Sequence, residues 1–491
     1  MVTPDIAVIG AGSSGAVVAA RLVEAGLSVV LIEAGPDYGP FDPLAWPTEL
    51  LDARMLAITH DWGYASGPLD GRQPIAFERA RVMGGCSAHN GAIAAVGHVS
   101  DYDGWGFDEW TTQRLRPLFA TALDKMRVRV YRDDEAGPFH RRCLDAAQSL
   151  GWHMAEDLCD LDANCSFGLE SVNVHAGIRW NAAFAYLDSV RDSSKLHILD
   201  RSIVDRVVHH HAGVTVHLVR NGSREVIQAG TVVLSAGVYG TPAILQRSGI
   251  GDPDHLRTVG VVPTMSLPGV GANLHDHPMV GADRQVGPQL QGWLDDAAAT
   301  GFLPEEQTLG KARSSLATDG IFDLHVFPVC ASTQTSLTAG RALVEVSCVT
   351  PQSRGRVDIR SADVDQAPHI DHRYLTDPDD HDVTVLRDGL VMAESMLNHP
   401  ALAAVLGDRI TQLSTDQDIR REVVHYYHPV GTSMMGSGEL AVCEPTGRVH
   451  GLPNLVVADV SLMPQIPRAN TNIPAIVIGE RIAQLMLGNP S

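Results

Sequence analysis

The chain opens with a strand, a glycine turn and a helix, and that start leaves few folds open to it. Ile6-Ala-Val-Ile9 reads as a buried strand, and Gly10-Ala-Gly-Ser-Ser-Gly15 follows without a spacer. Ala16 to Ala25 has the composition of a helix, and Ser28 to Ile32 returns as a second strand. Together they form a βαβ unit about 30 residues long. Gly10, Gly12 and Gly15 allow a tight turn and a close approach of backbone to a pyrophosphate, while the N–H groups of Ser13 and Ser14 at the helix start favour an anion. Glu33 ends the second strand about 20 residues on, where an acid accepts hydrogen bonds from a ribose 2′-hydroxyl. That acid disfavours a 2′-phosphate and hence NADP. FAD and NAD stay open on this motif, and a turn that serves packing alone is the plain alternative.

The rest of the chain is too long for one core. At 491 residues it calls for two domains, with sequence segments that can interleave. A formal charge of −21 argues against nucleic acid, because neutralising phosphates needs clustered Lys and Arg. The seven cysteines show no CxxC spacing, so reduced thiols are expected rather than a zinc site. Met1-Val-Thr-Pro-Asp5 has neither a basic start nor a cleavage site, and no apolar run reaches the roughly 18 residues of a membrane span, so the expected location is the cytoplasm.

Texture changes along the chain. Arg72 to Ala95 is a glycine-rich loop, Thr111 to Val128 and Phe139 to Leu150 have helical spacing, and His197 to Val219 reads as strands. Val226 to Ala236 adds a strand, and Gly237 to Gly251 a turn with a short helix. From Ala282 to Asp371 an alternating pattern, as in Leu343 to Val349, predicts antiparallel strands. Helices follow over Asp380 to Leu397 and Asp416 to Val424, then a strand over Leu455 to Ala458 and a last helix over Ile473 to Leu487.

Six further blocks stand in order along this frame: Glu33-Ala-Gly35, Arg81-Val-Met-Gly-Gly85, Gly240-Thr-Pro242 with Ser248-Gly-Ile-Gly251, Asn273-Leu-His-Asp-His-Pro278, Tyr427-His-Pro-Val-Gly-Thr432 and Asp459-Val-Ser-Leu-Met-Pro464. In this order they resemble the glucose-methanol-choline (GMC) oxidoreductase family over nearly the whole chain, and Val82 to Asn90 is most similar to its choline oxidase branch. The resemblance implies an FAD enzyme acting on a CH–OH group. It implies an α/β flavin domain, doubly wound and Rossmann-like, with an α+β substrate domain built on an antiparallel sheet. The flavin domain is expected over 1–150, 195–281 and 420–491, and the substrate domain over 151–194 and 282–419.

The same resemblance nominates contacts. Glu33 and Ala34 fall to the adenosine ribose, the Val204 backbone to the adenine, and Asp459 and Val460 to the ribityl or pyrophosphate region. Arg81, Gly84 and Gly85 lie in the flavin loop, with Asn90, Gly91 and Ile93 under the isoalloxazine ring. His89 is expected to bond covalently to the flavin, as in the choline oxidase branch; the alternative is a histidine packed beside a noncovalent flavin. His428 matches the family's active-site histidine and Asn470 the position of its partner, with Asn472 as the fallback. A neutral imidazole accepts the hydroxyl proton, and an amide holds the substrate oxygen as charge develops.

Three other histidine groups carry plainer readings. His275 and His277 share their turn with too few ligands for a metal, so none is expected. His209-His-His211 alternates faces on a strand, and His425 is structural. Aromatics are only 5% of residues, too few for a convincing quaternary-ammonium cage, so a neutral primary or secondary alcohol, a sugar or a polyol is at least as good a substrate as choline. The electron acceptor expected is O2, giving H2O2, with a quinone or protein acceptor as the alternative. A hydroxynitrile-lyase-like reaction on the same scaffold is the alternative from another class. The residues set no oligomeric state.

Overall fold

The computed structural model describes residues 3–54, 56–67, 73–211, 213–332 and 340–488. Met1, Val2, Arg72 and the last three residues, which the sequence reading includes, lie outside them.

Two sheets organise the chain. The first has six strands in the order Leu196–Leu199, Val29–Ile32, Ile6–Ile9, Thr231–Leu234, Leu452–Val457, Arg448–Val449. All neighbours are parallel except the last pair. Ile6–Ile9 lies in the middle, with Ile6 opposite Val29 on one side and Thr231 on the other. The central strands Ile6–Ile9 and Val29–Ile32 are short and apolar throughout because elements pack on this sheet and keep them from water. The helices Ser13–Glu24 and Asn472–Met486 and the three-stranded antiparallel sheet Ser202–His210, Gly213–Arg220 and Ser223–Ala229 share its core.

The second sheet has seven strands, all antiparallel. Its order is Leu406–Arg409, Pro278–Val286, Arg341–Cys348, Leu324–Cys330, Thr308–Ala312, Ser166–Leu169, and Val424–His425 also pairs with Pro278–Val286. Helices Pro138–Ser149, Pro288–Thr300 and His381–Leu397 bury Phe139, Leu290, Leu294, Leu386 and Ala393 against Val344 and Val346 of this sheet. Most elements lie within a few residues of where periodicity puts them. Helix Pro288–Thr300 stands inside the stretch read as antiparallel strands.

The seam between the two bodies differs from the expected boundaries at several places. Helix Pro138–Ser149, expected in the flavin domain, turns Phe139, Cys143, Ala146 and Ala147 into the second core. Strand Pro278–Val286 crosses the expected edge at 281, and Val424–His425 carries part of 420–491 onto the second sheet. In the other direction, Trp180, Phe184 and Tyr186 of the 151–194 segment pack in the first core. An apolar face states that a helix is buried; it does not state against which sheet. All seven cysteines are free, and no helix among the described residues is long and apolar enough to cross a membrane.

Candidate active site

A cavity of about 970 Å³ runs between the two bodies, at the upper end of the roughly 300–1,000 Å³ common for ligand sites. One end is the glycine turn. Gly10 has φ +94°, and a Cβ there would stand 2.3 Å from the Ser235 carbonyl oxygen. Gly12 is the N-cap of helix Ser13–Glu24 and offers no side-chain cap, so the first N–H groups of the helix are left to an incoming anion. Glu33 accepts from the Ala11 N–H at 2.9 Å and the Gly35 N–H at 2.8 Å, and burial raises its carboxyl above the usual range. Ser13 Oγ donates to Asn472 Oδ1 at 2.8 Å, which ties the turn to the last helix.

Of the expected cofactor residues, Gly10, Gly12, Ser13, Ser14, Glu33, Ala34, Arg81, Gly85, His89, Asn90, Gly91, Ile93, Val204, Asp459, Val460 and Asn470 all line this one cavity. Gly15 and Gly84 do not, and they shape its wall instead. A Cβ at Gly15 would be 2.0 Å from the Gly10 carbonyl oxygen, and Gly84 has φ +91°. Asp459 has its side chain committed to the protein: Oδ2 accepts from the Gly237 N–H and the Thr241 hydroxyl, and Oδ1 from the Ser461 N–H. What it offers a ligand is therefore its backbone.

His89 ends a short helical turn, Gly85–Ala88, in the flavin loop. Its Nε2 lies 2.8 Å from the Thr59 carbonyl oxygen, so that nitrogen donates and Nδ1 is the one without the proton. Burial lowers its pKa and keeps the ring neutral. Arg81 donates from Nε to the Ala34 carbonyl at 3.3 Å, with its guanidinium 4.9 Å from the centre of the Trp62 ring.

At the other end stands His428, buried at the edge of the second sheet. Tyr427 before it holds φ +67°, a left-handed conformation uncommon for a bulky residue, and its carbonyl accepts two bonds of 3.1 Å from Arg79. The His428 backbone N–H donates to Asp276 Oδ1 at 2.9 Å, and the same oxygen accepts the His277 N–H at 2.8 Å. The ring is held too: His428 Nδ1 lies 3.1 Å from His277 Nδ1, and the Tyr426 ring centre is 4.4 Å away. Burial first, and then the neighbouring His277 and His325 rings, hold His428 well below the usual 6.5. Burial also brings His277 down to about 3 and Asp276 up to about 7.

Asn470 lines the cavity beside Tyr426, with its Oδ1 buried and without a hydrogen-bond partner. Asn472 is engaged by Ser13 and so belongs to the glycine-turn end. His425 packs against Phe77 and Tyr427. His275 holds the Asn273 carbonyl with Nδ1 and the Ile466 N–H with Nε2, a clamp on the loop. His210 pairs with Thr215 on its own small sheet. Cys348, His381 and Asp382 bring three ligand-type atoms within 4.8 Å of one another, but Asp382 spends its oxygens on the N–H groups of Gln352 and Ser353 and on His381.

Residues 5–279 and 351–479 match the two models that describe the GMC oxidoreductase family. The chain belongs to the GMC oxidoreductase family. It is 31% identical to the oxygen-dependent choline dehydrogenase of Xanthomonas euvesicatoria pv. vesicatoria, across 99% of this chain and 96% of that one. It is likewise 31% identical to the protein of the same description from Rhizobium etli, across 99% and 95%. The solved pyridoxine 4-oxidase from Mesorbium loti superposes with a TM-score of 0.85 at 26% identity, over 98% of this chain and 99% of that one. A formate oxidase variant of Aspergillus oryzae, at 21% identity, shares the fold with a TM-score of 0.84 over 99% and 98%. As a GMC oxidoreductase this protein is an FAD-dependent enzyme, and the uncapped helix start, the glycine cradle and the volume of the cavity fit that cofactor.

Several residues of this GMC site were not singled out as functional in the sequence. His277 was read as part of a structural turn, yet it is the ring partner of His428. Glu78, Arg79, Glu305, Glu306 and Glu345 line the cavity without a local motif to mark them.

Proposed function

We propose that the enzyme oxidises an alcohol to the aldehyde or ketone, with His428 taking the hydroxyl proton and O2 as the final acceptor. The observation that supports this is that a buried, neutral His428 and Asn470 line one cavity, each beside Tyr426. In this reading His428 donates from Nδ1 to His277 and presents a bare Nε2 to the alcohol. Asn470 holds the substrate oxygen as negative charge gathers on it, and Asp276 and Arg79 fix the one peptide between Tyr427 and His428, by its N–H and by its carbonyl. Glu33, the glycine turn and the flavin loop would hold FAD, and His89 Nδ1, which carries no proton while Nε2 donates to Thr59, is the ring nitrogen available for a bond to it. The chemistry FAD supplies when bound is acceptance of the hydride from the alcohol carbon and return of the electron pair to O2 as H2O2. The names of the relatives, an oxygen-dependent choline dehydrogenase and a pyridoxine 4-oxidase, support oxidation of an alcohol with oxygen.

Mixing the yellow holoprotein with candidate alcohols under nitrogen and then admitting air tests this reading. Bleaching by an alcohol followed by fast recovery in air, with peroxide formed, is the expected result. Recovery only with an added dye or quinone removes O2, and turnover without bleaching puts a lyase in place of the oxidase. Acid precipitation of the same sample leaves the yellow colour in the pellet; colour in the supernatant removes the bond to His89.

A further inference from the structure

The substrate side of the cavity is walled with acids. Glu345 sits on strand Arg341–Cys348, opposite Gly281 on one neighbouring strand and Phe327 on the other. A Cβ at Gly281 would stand 2.2 Å from Glu345 Oε2, so this glycine leaves the room the carboxylate fills. Glu306 pairs by its backbone with Val329 on the next strand, and its Oε1 is buried with no hydrogen-bond partner. Behind it Glu170, 1% exposed, shares a side-chain hydrogen bond with Glu306. Glu305 lines the same wall.

Burial disfavours the charged forms of these acids. Burial raises Glu170, Glu306 and Glu345 above the usual carboxyl range, and Glu170, Glu305 and Glu345 raise Glu306 further. The cation that acts on Glu345 is Arg341, which already forms an ion pair with Asp283. Buried acceptors without donors are costly, and two that line one cavity, Glu306 Oε1 and Asn470 Oδ1, mark a place where a ligand brings the donors.

We infer that the compartment beside His428 holds a protonated primary or secondary amine of the substrate, its N–H groups donated to Glu306 and Glu345. The inference rests on the alcohol-oxidation reading for its reaction and adds the substrate class, an amino alcohol. An ammonium with N–H groups supplies both charge and donors, and charge-assisted hydrogen bonds are the strong ones. A neutral alcohol supplies no charge. A quaternary ammonium such as choline supplies charge without donors and relies on aromatic faces. Here Phe327 and Tyr426 stack on each other, ring centres 4.6 Å apart and planes at 9°, so each gives one face to the other.

The test is a series of ω-amino alcohols of two to five carbons, each with its N-methyl form, its N,N,N-trimethyl form and its neutral carbon isostere. Flavin bleaching gives kcat/KM, and binding of the hydroxyl-free amines to the oxidised holoprotein is followed by its visible spectrum. The expected result is a preference of roughly tenfold or more for N–H ammonium over both comparators. Glu306→Gln and Glu345→Gln shrink that ratio and weaken amine binding. A trimethyl or neutral form that matches the N–H amine in the parent protein overturns the proposal, and this needs no variant to fold. Amine binding that depends on Glu306, with no bleaching by any alcohol, leaves the amine site standing and removes alcohol oxidation. Bleaching that is best with neutral alcohols does the reverse.

Discussion

His428 is held by its backbone, by its ring and by the residue before it, and each restraint acts on where Nε2 points. His428→Ala is therefore expected to keep the fold and the yellow colour while lowering turnover with the best alcohol by ~10²–10⁴-fold, measured by anaerobic bleaching. Because burial disfavours its charged form, the parent stays a competent base through neutral pH. The ring itself takes a proton only as pH drops below the ordinary histidine value of 6.5. An acid limb of kcat/KM at or above 6.5 that persists in Glu345→Gln excludes His428 as the base. At this scale the sequence was informative where a residue sits in a contiguous block, as with Gly10, Glu33, His89 and His428. His277, Glu306 and Glu345 are silent in one dimension, because what sets their surroundings is a neighbour more than thirty residues away.

The helices Ser13–Glu24 and Asn472–Met486 lie against each other so closely that Gly479 is the only side chain size that fits. A Cβ there would be 2.7 Å from the Ser14 carbonyl oxygen and 2.9 Å from Val17 Cβ. Around it Ser14 Oγ donates to the Ala475 carbonyl at 2.6 Å, and Arg21 reaches both oxygens of Glu480 at 2.8 and 2.7 Å. Gly479→Val pushes the first helix off its register, and we expect about 1–3 kcal/mol of lost stability with release of flavin on gel filtration. A variant that melts with the parent and stays yellow shows that the contact is slack. Elements with a strong period were legible within a few residues, the opening βαβ unit above all. Helix Pro288–Thr300 carries Leu290, Trp293, Leu294 and Ala297 at helical spacing, but its setting among alternating strands hid it. Which core a helix joins, as with Pro138–Ser149, depends on tertiary packing that a local pattern does not contain.

For the whole molecule, the acids inside the cavity put a signature on its stability. Glu345 titrates near the ordinary carboxyl value of 4.5 when unfolded and at about 7 when folded, because burial disfavours its charge. A raised carboxyl of this kind is fully tolerated below the unfolded value, and its stability is lost as pH rises through the folded one. Melting temperatures of Glu345→Gln and of the parent are therefore expected to diverge in favour of the variant between pH 4.5 and 7, and a constant gap rules this out. The two-sheet plan and its cofactor were readable from ordered blocks, whereas the acidic wall was not, since the net charge of −21 says nothing of where the acids lie.

The hydrogen bond from Ser13 to Asn472 spans 459 positions and completes the cofactor seat. On a ribosome the glycine turn therefore emerges long before its partner helix exists. Flavin loading is thus expected to wait for Asn472–Met486 to be made, and a transcript cut short before Asn472 yields a product that has the turn but lacks the helix that closes over it.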